Sequence, residues 1–209
     1  MTGINLLSNK MKNKIIIIPI LILLSIIIGG YIAITKINSS VQNNEFSIKN
    51  GNWTVSPNMD LKDSYQRAYI SRIGVFALDE KEALYFLSSK DNNGNPLSSD
   101  FDYQIIGTPP IGRYWSYTLY GEDYFLVKND TNIYTINKKN LVRDKPIIVS
   151  SSKKDINWLP SGNETKFHIT LRIYNPDENV YKNLESLELP VIKKIEKWKK
   201  YFFTYGSYL

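Results

Sequence analysis

The single histidine of this chain, His168, falls in the run Phe167 to Tyr174, where Phe167, Ile169, Leu171 and Ile173 alternate with His168, Thr170, Arg172 and Tyr174. Such period-two alternation describes a strand with one apolar face, and it sets His168 beside Arg172 on the other. A nucleophilic triad needs a Ser or Cys, a base and an orienting acid. The chain has no Cys, one His and no Gly-x-Ser-x-Gly elbow, so His168 alone would carry any such chemistry. The charge of Arg172 favours a neutral imidazole there, and a hydrogen-bonded or surface His is the plainer expectation. Asp100, Asp102, Glu122 and Asp123 are the acids from which a glycosidase-like pair would be drawn. They fall in or beside turns, where solvated carboxylates are the rule. One imidazole with scattered acids offers no metal-ligand spacing, and no glycine loop is built to cradle phosphate. These patterns assign no catalytic residue, no metal ligand and no cofactor.

Recognition chemistry has better raw material. Trp115, Tyr117, Tyr120, Trp158 and Tyr174 are large rings that would form a platform for a glycan or lipid, with Arg67 or Arg172 as polar anchor. Rings at alternating spacing also fill the core of a β-sandwich. The candidate binding residues are therefore Arg67, Trp115, Tyr120, Trp158, His168, Arg172 and Tyr174. A second aromatic set lies in the tail, residues 193–209, where lysines mix with Trp198, Tyr201, Phe202, Phe203, Tyr205 and Tyr208. That mixture suits contact with anionic lipid or a partner, or a solvated terminal helix.

The elements that must hold these residues are mostly strands. Tyr65, Tyr69, Ile73 and Phe76 recur at spacings of four and three, predicting a helix from Ser64 to Leu78 with Asp63 or Ser64 as N-cap. After Glu82 the pattern turns β. Strands are expected at Ala83 to Ser88, Phe101 to Ile106, Arg113 to Tyr120, Tyr124 to Val127, Ile133 to Ile136, Ile147 to Ser150 and Phe167 to Tyr174. Asp91 to Pro96 reads as a long polar turn, and Pro146 suggests an edge or a strand start. In Arg113 to Tyr120, Trp115, Tyr117 and Leu119 share one face. Several short strands at near-regular spacing predict a mainly β domain, a sandwich or jelly roll with one N-terminal helix.

Ahead of this domain, Ile15 to Ile34 is free of charge, about the 20 residues that span a bilayer's hydrocarbon. The run is longer than the apolar core of a cleaved signal peptide, so it is expected to remain as a signal anchor. Lys10, Lys12 and Lys14 precede it and Lys36 follows, which places the N-terminus in the cytoplasm and the domain outside. The expected layout is a cytoplasmic tail at 1–14, a single transmembrane helix at 15–35, a polar tether at 36–51, the soluble domain at 52–192 and the basic aromatic tail at 193–209. The formal charge of +6 belongs mainly to the ends. No acid precedes Glu45, and five lysines face one glutamate between Lys193 and Lys200, which leaves the body slightly acidic. A nucleic-acid partner is excluded on that ground.

The segments Arg113 to Tyr120, Asn157-Trp158-Leu159-Pro160 and Leu171-Arg172-Ile173-Tyr174-Asn175-Pro176 together resemble the Domain of Unknown Function 1214 family. Trp53-Thr54, the Tyr65-Gln66-Arg67-Ala68 helix and Asp91 to Leu97 extend the likeness to about Asn52 through Pro190, in the manner of short, membrane-anchored members. The resemblance implies a jelly-roll-like β-sandwich. Longer relatives add a second domain, numbered 1254, and look like trimer formers with viral-capsid-like architecture, which makes a homo-oligomer, a trimer, the expected assembly. The chain departs from the pattern at Ser161-Gly162-Asn163-Glu164, where a Pro-Gly pair is usual, and lacks a glycine near Lys145-Pro146. The family implies architecture but no agreed activity. The expected role is binding or scaffolding at the cell envelope from the inner membrane, with a periplasmic domain; the competing expectation is an envelope hydrolase using carboxylates or His168 in an aromatic cleft.

Overall fold

A computed structural model describes residues 2–43, 47–55, 63–73 and 78–195. The chain begins with α1 (Thr2–Asn43), which contains Pro19. From Ile17 onward this helix is long and apolar enough to cross a membrane, and none of its most apolar 18 residues is buried by the rest of the chain. Ser25 Oγ donates to the Ile22 carbonyl at 2.8 Å and Thr35 Oγ1 to that of Tyr31 at 2.7 Å, so their hydroxyls need no outside partner.

The helix does not stop where the tether was expected. Residues 36–43 continue it, and Ile48–Asn50 forms strand β1. Propagating an existing helix fixes one residue per added hydrogen bond, so the apolar segment carries polar Ser39 and Ser40 along with it. Tertiary packing adds to this: Val41 lies against Tyr69 and Ile70 of α2 (Ser64–Ile73), and Lys36 Nζ sits 4.7 Å from the Tyr65 ring centroid. Asp63 caps α2, its Oδ1 accepting from Tyr65 N at 2.7 Å. The predicted helical residues Gly74 and Phe76 lie outside the described residues, as does the tail from Glu196 to Leu209.

Two sheets follow. The larger runs β1, β2 (Trp53–Val55), β3 (Ala83–Ser88), β9 (Phe167–Pro176), β5 (Gly112–Gly121) and β6 (Thr135–Asn137) in spatial order, every neighbouring pair antiparallel. The smaller runs β10 (Val191–Ile195), β4 (Asp102–Ile106), β7 (Ile147–Ser150) and β8 (Trp158–Pro160), with β7 and β8 parallel. A short helix α3 (Glu178–Lys182), capped by Asp177, precedes β10.

Alternation decides which residues go inside. Leu84, Phe86, Tyr117, Leu119, Ile169, Leu171 and Ile173 from the larger sheet join Tyr103, Ile105, Ile147, Val149, Leu159 and Ile192 from the smaller in one buried cluster. The predicted strands β3, β4, β5, β7 and β9 are present within a residue or two. β3 and β4, joined across the Asp91 to Pro96 turn, belong to different sheets. That turn is built on the fully buried Asp91, whose Oδ1 accepts from Asn93 N and Asn95 N, both at 2.9 Å.

Three other expectations are corrected. Tyr124 to Val127 is not a strand but a turn return with a single bridge, Tyr120 to Leu126, because Tyr124 sits at φ 64° and breaks the extended run. Pro146 precedes β7 rather than occupying it, so its missing N–H costs no ladder bond and β7 is internal, between β4 and β8. The basic tail does not begin at 193: Lys193 and Lys194 belong to β10, where Ile192 is anchored in the core. At the departure from the family pattern, Gly162 has φ +55°, and a Cβ there would lie 2.5 Å from the Lys128 carbonyl oxygen. Only glycine fits that close approach.

Candidate functional site

The outward residues of β3, β9 and β5 bring together part of the predicted set. Register places Arg172 between Tyr85 and Ser116, Tyr120 opposite His168, and Tyr174 between Ala83 and Tyr114. Small hydroxyl residues, Ser116, Thr118 and Thr170, are buried beneath the longer side chains. Arg172 Nη1 donates to Thr118 Oγ1 at 3.1 Å and Nη2 donates to Tyr120 Oη. Its Cζ lies 5.2 Å from the Tyr120 ring centroid and 5.8 Å from that of Tyr85, both within cation–π reach. The Tyr120 ring stacks on His168 with centroids 5.6 Å apart, and Tyr124 closes on His168 at 5.2 Å. Tyr114 and Tyr174 pair at 5.9 Å.

Electrostatics follow from this packing. Burial, reinforced by Arg172 and opposed by Asp123, holds the His168 pKa down, to about 4. Burial likewise raises the Tyr85 phenol, with Tyr174 adding and Arg172 opposing. His168 is therefore neutral at physiological pH and offers hydrogen bonding rather than charge. Because its folded pKa lies below that of the unfolded chain, the unfolded state binds the extra proton. Stability should fall as pH drops from about 6.5 to about 4 and level off outside that window. Urea midpoints measured across this range should slope in the native protein, and the slope should flatten in His168→Gln.

The remaining predicted residues do not join the face. Trp115 points to the opposite side of β5, packed on the core and edge-on to Tyr117 at 5.7 Å. Alternation dictates this, since it shares the inward parity of Tyr117 and Leu119. Trp158 is on β8 of the other sheet, and its Nε1 donates to the Ser150 carbonyl at 2.9 Å. Its neighbour Asn157, at φ 47°, staples a loop: Oδ1 accepts from Val142 N at 2.8 Å, and Nδ2 donates to the Val142 and Lys145 carbonyls. The Asn-Trp-Leu-Pro motif thus has a structural explanation. Arg67 is on α2, where its Nη2 donates to Ser64 Oγ at 3.1 Å. Tyr85, Tyr114 and Tyr124 were missed as site residues. The tyrosine at the middle of the β3 run was the available signal.

The carboxylates each have a local partner. Asp100 Oδ2 accepts from Ser98 Oγ, Asp123 Oδ1 from Phe125 N, and Glu122 pairs with Lys166 at 3.3 Å. Asp102 is not the solvated acid its turn-side position suggested. It is buried in β4, paired with Lys154 Nζ at 2.9 Å and accepting from Ser150 Oγ at 2.7 Å. Those two partners make burial of its charge tolerable. Among the described residues no group of three His, Cys, Asp or Glu is arranged to hold a metal ion.

Fold and site together define a mainly β, two-sheet domain that follows a long apolar N-terminal helix and carries an aromatic, basic outer face. Residues 82–178 match the model of a family described as Protein of unknown function (DUF1214). The match bears out the sequence resemblance over a span narrower than the expected Asn52 to Pro190. The VPA0106 protein from Vibrio parahaemolyticus is similar in structure, with a TM-score of 0.53 at 29% identity over 63% of this chain and 35% of that one. The chain thus spans about a third of that protein's length. An uncharacterized protein from Burkholderia cenocepacia aligns with a TM-score of 0.42 at 16% identity, over 57% of this chain and 31% of that one. No curated protein matches the chain.

Proposed function

We propose that the protein is a membrane-tethered binding domain of the cell envelope. The observation that carries this reading is the outer face of the larger sheet, where Tyr85, Tyr114, Tyr120 and Tyr174 gather about Arg172. Tyrosines present apolar ring faces with polar tips, which suits a glycan or lipid headgroup. Helix α1 supplies the tether. Its large apolar side chains from Ile17 to Ile32 face outward, and its Ser25 and Thr35 hydroxyls donate to carbonyls within the helix, as hydrocarbon demands.

In this reading α1 spans the inner membrane once, with the N-terminus cytoplasmic under the pull of Lys10, Lys12 and Lys14 and the domain periplasmic. The domain is jelly-roll-like, supported by two sheets closing on one core, with the parallel β7–β8 pair as a variation on the antiparallel plan. It assembles as a homo-oligomer, a trimer, to scaffold several such faces. Alkaline carbonate extraction and external protease on spheroplasts test the tether. The full-length chain should stay with the membrane and its domain should be digested from outside. A shortened, freely soluble chain would mean that the apolar helix is a cleaved signal and would sink the reading.

A further inference from the structure

We propose that Arg172 is the anchor of an anion-binding site on this face, and that its ligand is an acidic or phosphorylated sugar. This deepens the binding-domain reading and rests on it.

A half-buried guanidinium is normally neutralised by a carboxylate. Among the described residues the ion pairs are Lys154–Asp102, Lys166–Glu122 and Lys182–Glu178, and Arg172 is in none of them. A guanidinium has five N–H donors. Thr118 Oγ1 and Tyr120 Oη account for two of them among the described residues. Both acceptors are neutral, so they orient the plane without cancelling its charge. The Tyr85 and Tyr120 rings hold it from the sides, which fixes a planar fork of the kind that meets a carboxylate or phosphate with two parallel bonds. Asp123, an acid that bears on His168 at this end of the face, accepts from Phe125 N at its Oδ1. His168 brings no competing positive charge and no negative one.

The surroundings decide what carries the anion. Tyr174 and Tyr114 continue the face along β9 and β5 past Arg172, ring beside ring. Flat aromatic surface next to a charged fork, with phenol hydroxyls at its margin, fits the apolar face of a sugar ring and its hydroxyl rim. A bare inorganic anion would use the fork and leave the rings idle.

The test uses the full-length protein in a neutral polyoxyethylene detergent, titrated calorimetrically with glucuronate, glucose 6-phosphate, inorganic phosphate and glucose. Native protein should bind the two anionic sugars more tightly than either phosphate or glucose alone. Arg172→Gln should weaken the anionic sugars about tenfold or more, a loss in the range of one charge-assisted hydrogen bond. Arg172→Lys, which keeps charge but not the fork, should fall between the two. Tyr174→Ala should weaken sugars while sparing phosphate, and thermal melts of each variant identify any that fail to fold. Displacement of glucuronate by phosphatidylglycerol bicelles would place the same anion on a lipid headgroup; persistence would place it on a soluble or polymeric sugar. Glucose binding as tightly as glucuronate, unchanged in Arg172→Gln, overturns the anion site while leaving the binding face standing. No binding by the native protein to any probe overturns both.

Discussion

Leu171→Ala is expected to cost about 3–4 kcal/mol of stability, the typical result of truncating a fully enclosed leucine. Leu171 has no solvent exposure and lies mid-strand in β9, the strand flanked by β3 and β5. Register sets it between Phe86 on one side and Tyr117 on the other, so three large side chains form a row facing the smaller sheet. Ladder hydrogen bonds hold the backbone on both sides of the truncated residue, and the strands cannot close into the space. The cavity therefore persists and adds to the lost transfer energy. Urea unfolding followed by tryptophan fluorescence should show a lower midpoint at unchanged slope. A loss below about 1 kcal/mol would mean that the two sheets are not packed across this row.

Asp102→Ala should be the most damaging polar change, at about 2–3 kcal/mol. Removing the carboxylate leaves Ser150 Oγ, in a fully buried residue, without its acceptor, and leaves Lys154 Nζ without its counter-ion. Lys154 is partly exposed and recovers some hydration, which keeps the loss below that of a fully enclosed pair. Asp102→Asn keeps an acceptor for Ser150 and should cost about half as much. Because the aspartate is enclosed, added salt should weaken the native pair little. A midpoint difference between native protein and Asp102→Ala that vanishes in high salt would show instead a surface interaction.

Some of this architecture is readable in the residues and some is not, for identifiable reasons. β9 and β5 declare themselves because each buries one face, so that Ile169, Leu171 and Ile173, or Tyr117 and Leu119, recur at period two. The family resemblance rests on these same stretches and on Asn157, whose left-handed backbone and three loop bonds explain an asparagine there. Residues 36–43 read as a tether because Ser, Asn and Gln favour caps and turns locally, whereas a neighbouring helix and a docking partner decide the outcome. Lys193 and Lys194 hid β10, since an edge strand tolerates charge that a central one would not. For the site, the face of β9 was legible but its membership was not. Parity alone separates Trp115 from Tyr120, and only tertiary structure puts Trp158 in the other sheet and Tyr85 beside Arg172.

The four outermost strands have a consequence for self-association. β1, β6 and β8 are three residues long, and β8 ends in Pro160, which has no N–H to offer. β10 is longer, yet Asn92 N takes its Ile192 carbonyl at 2.8 Å and Lys193 and Lys194 charge its rim. Among the described residues no border leaves a long, flat, unpaired ladder. Strand-by-strand addition is the route by which crowded β proteins run on into fibrils. Among the described residues, blunted borders disfavour that route.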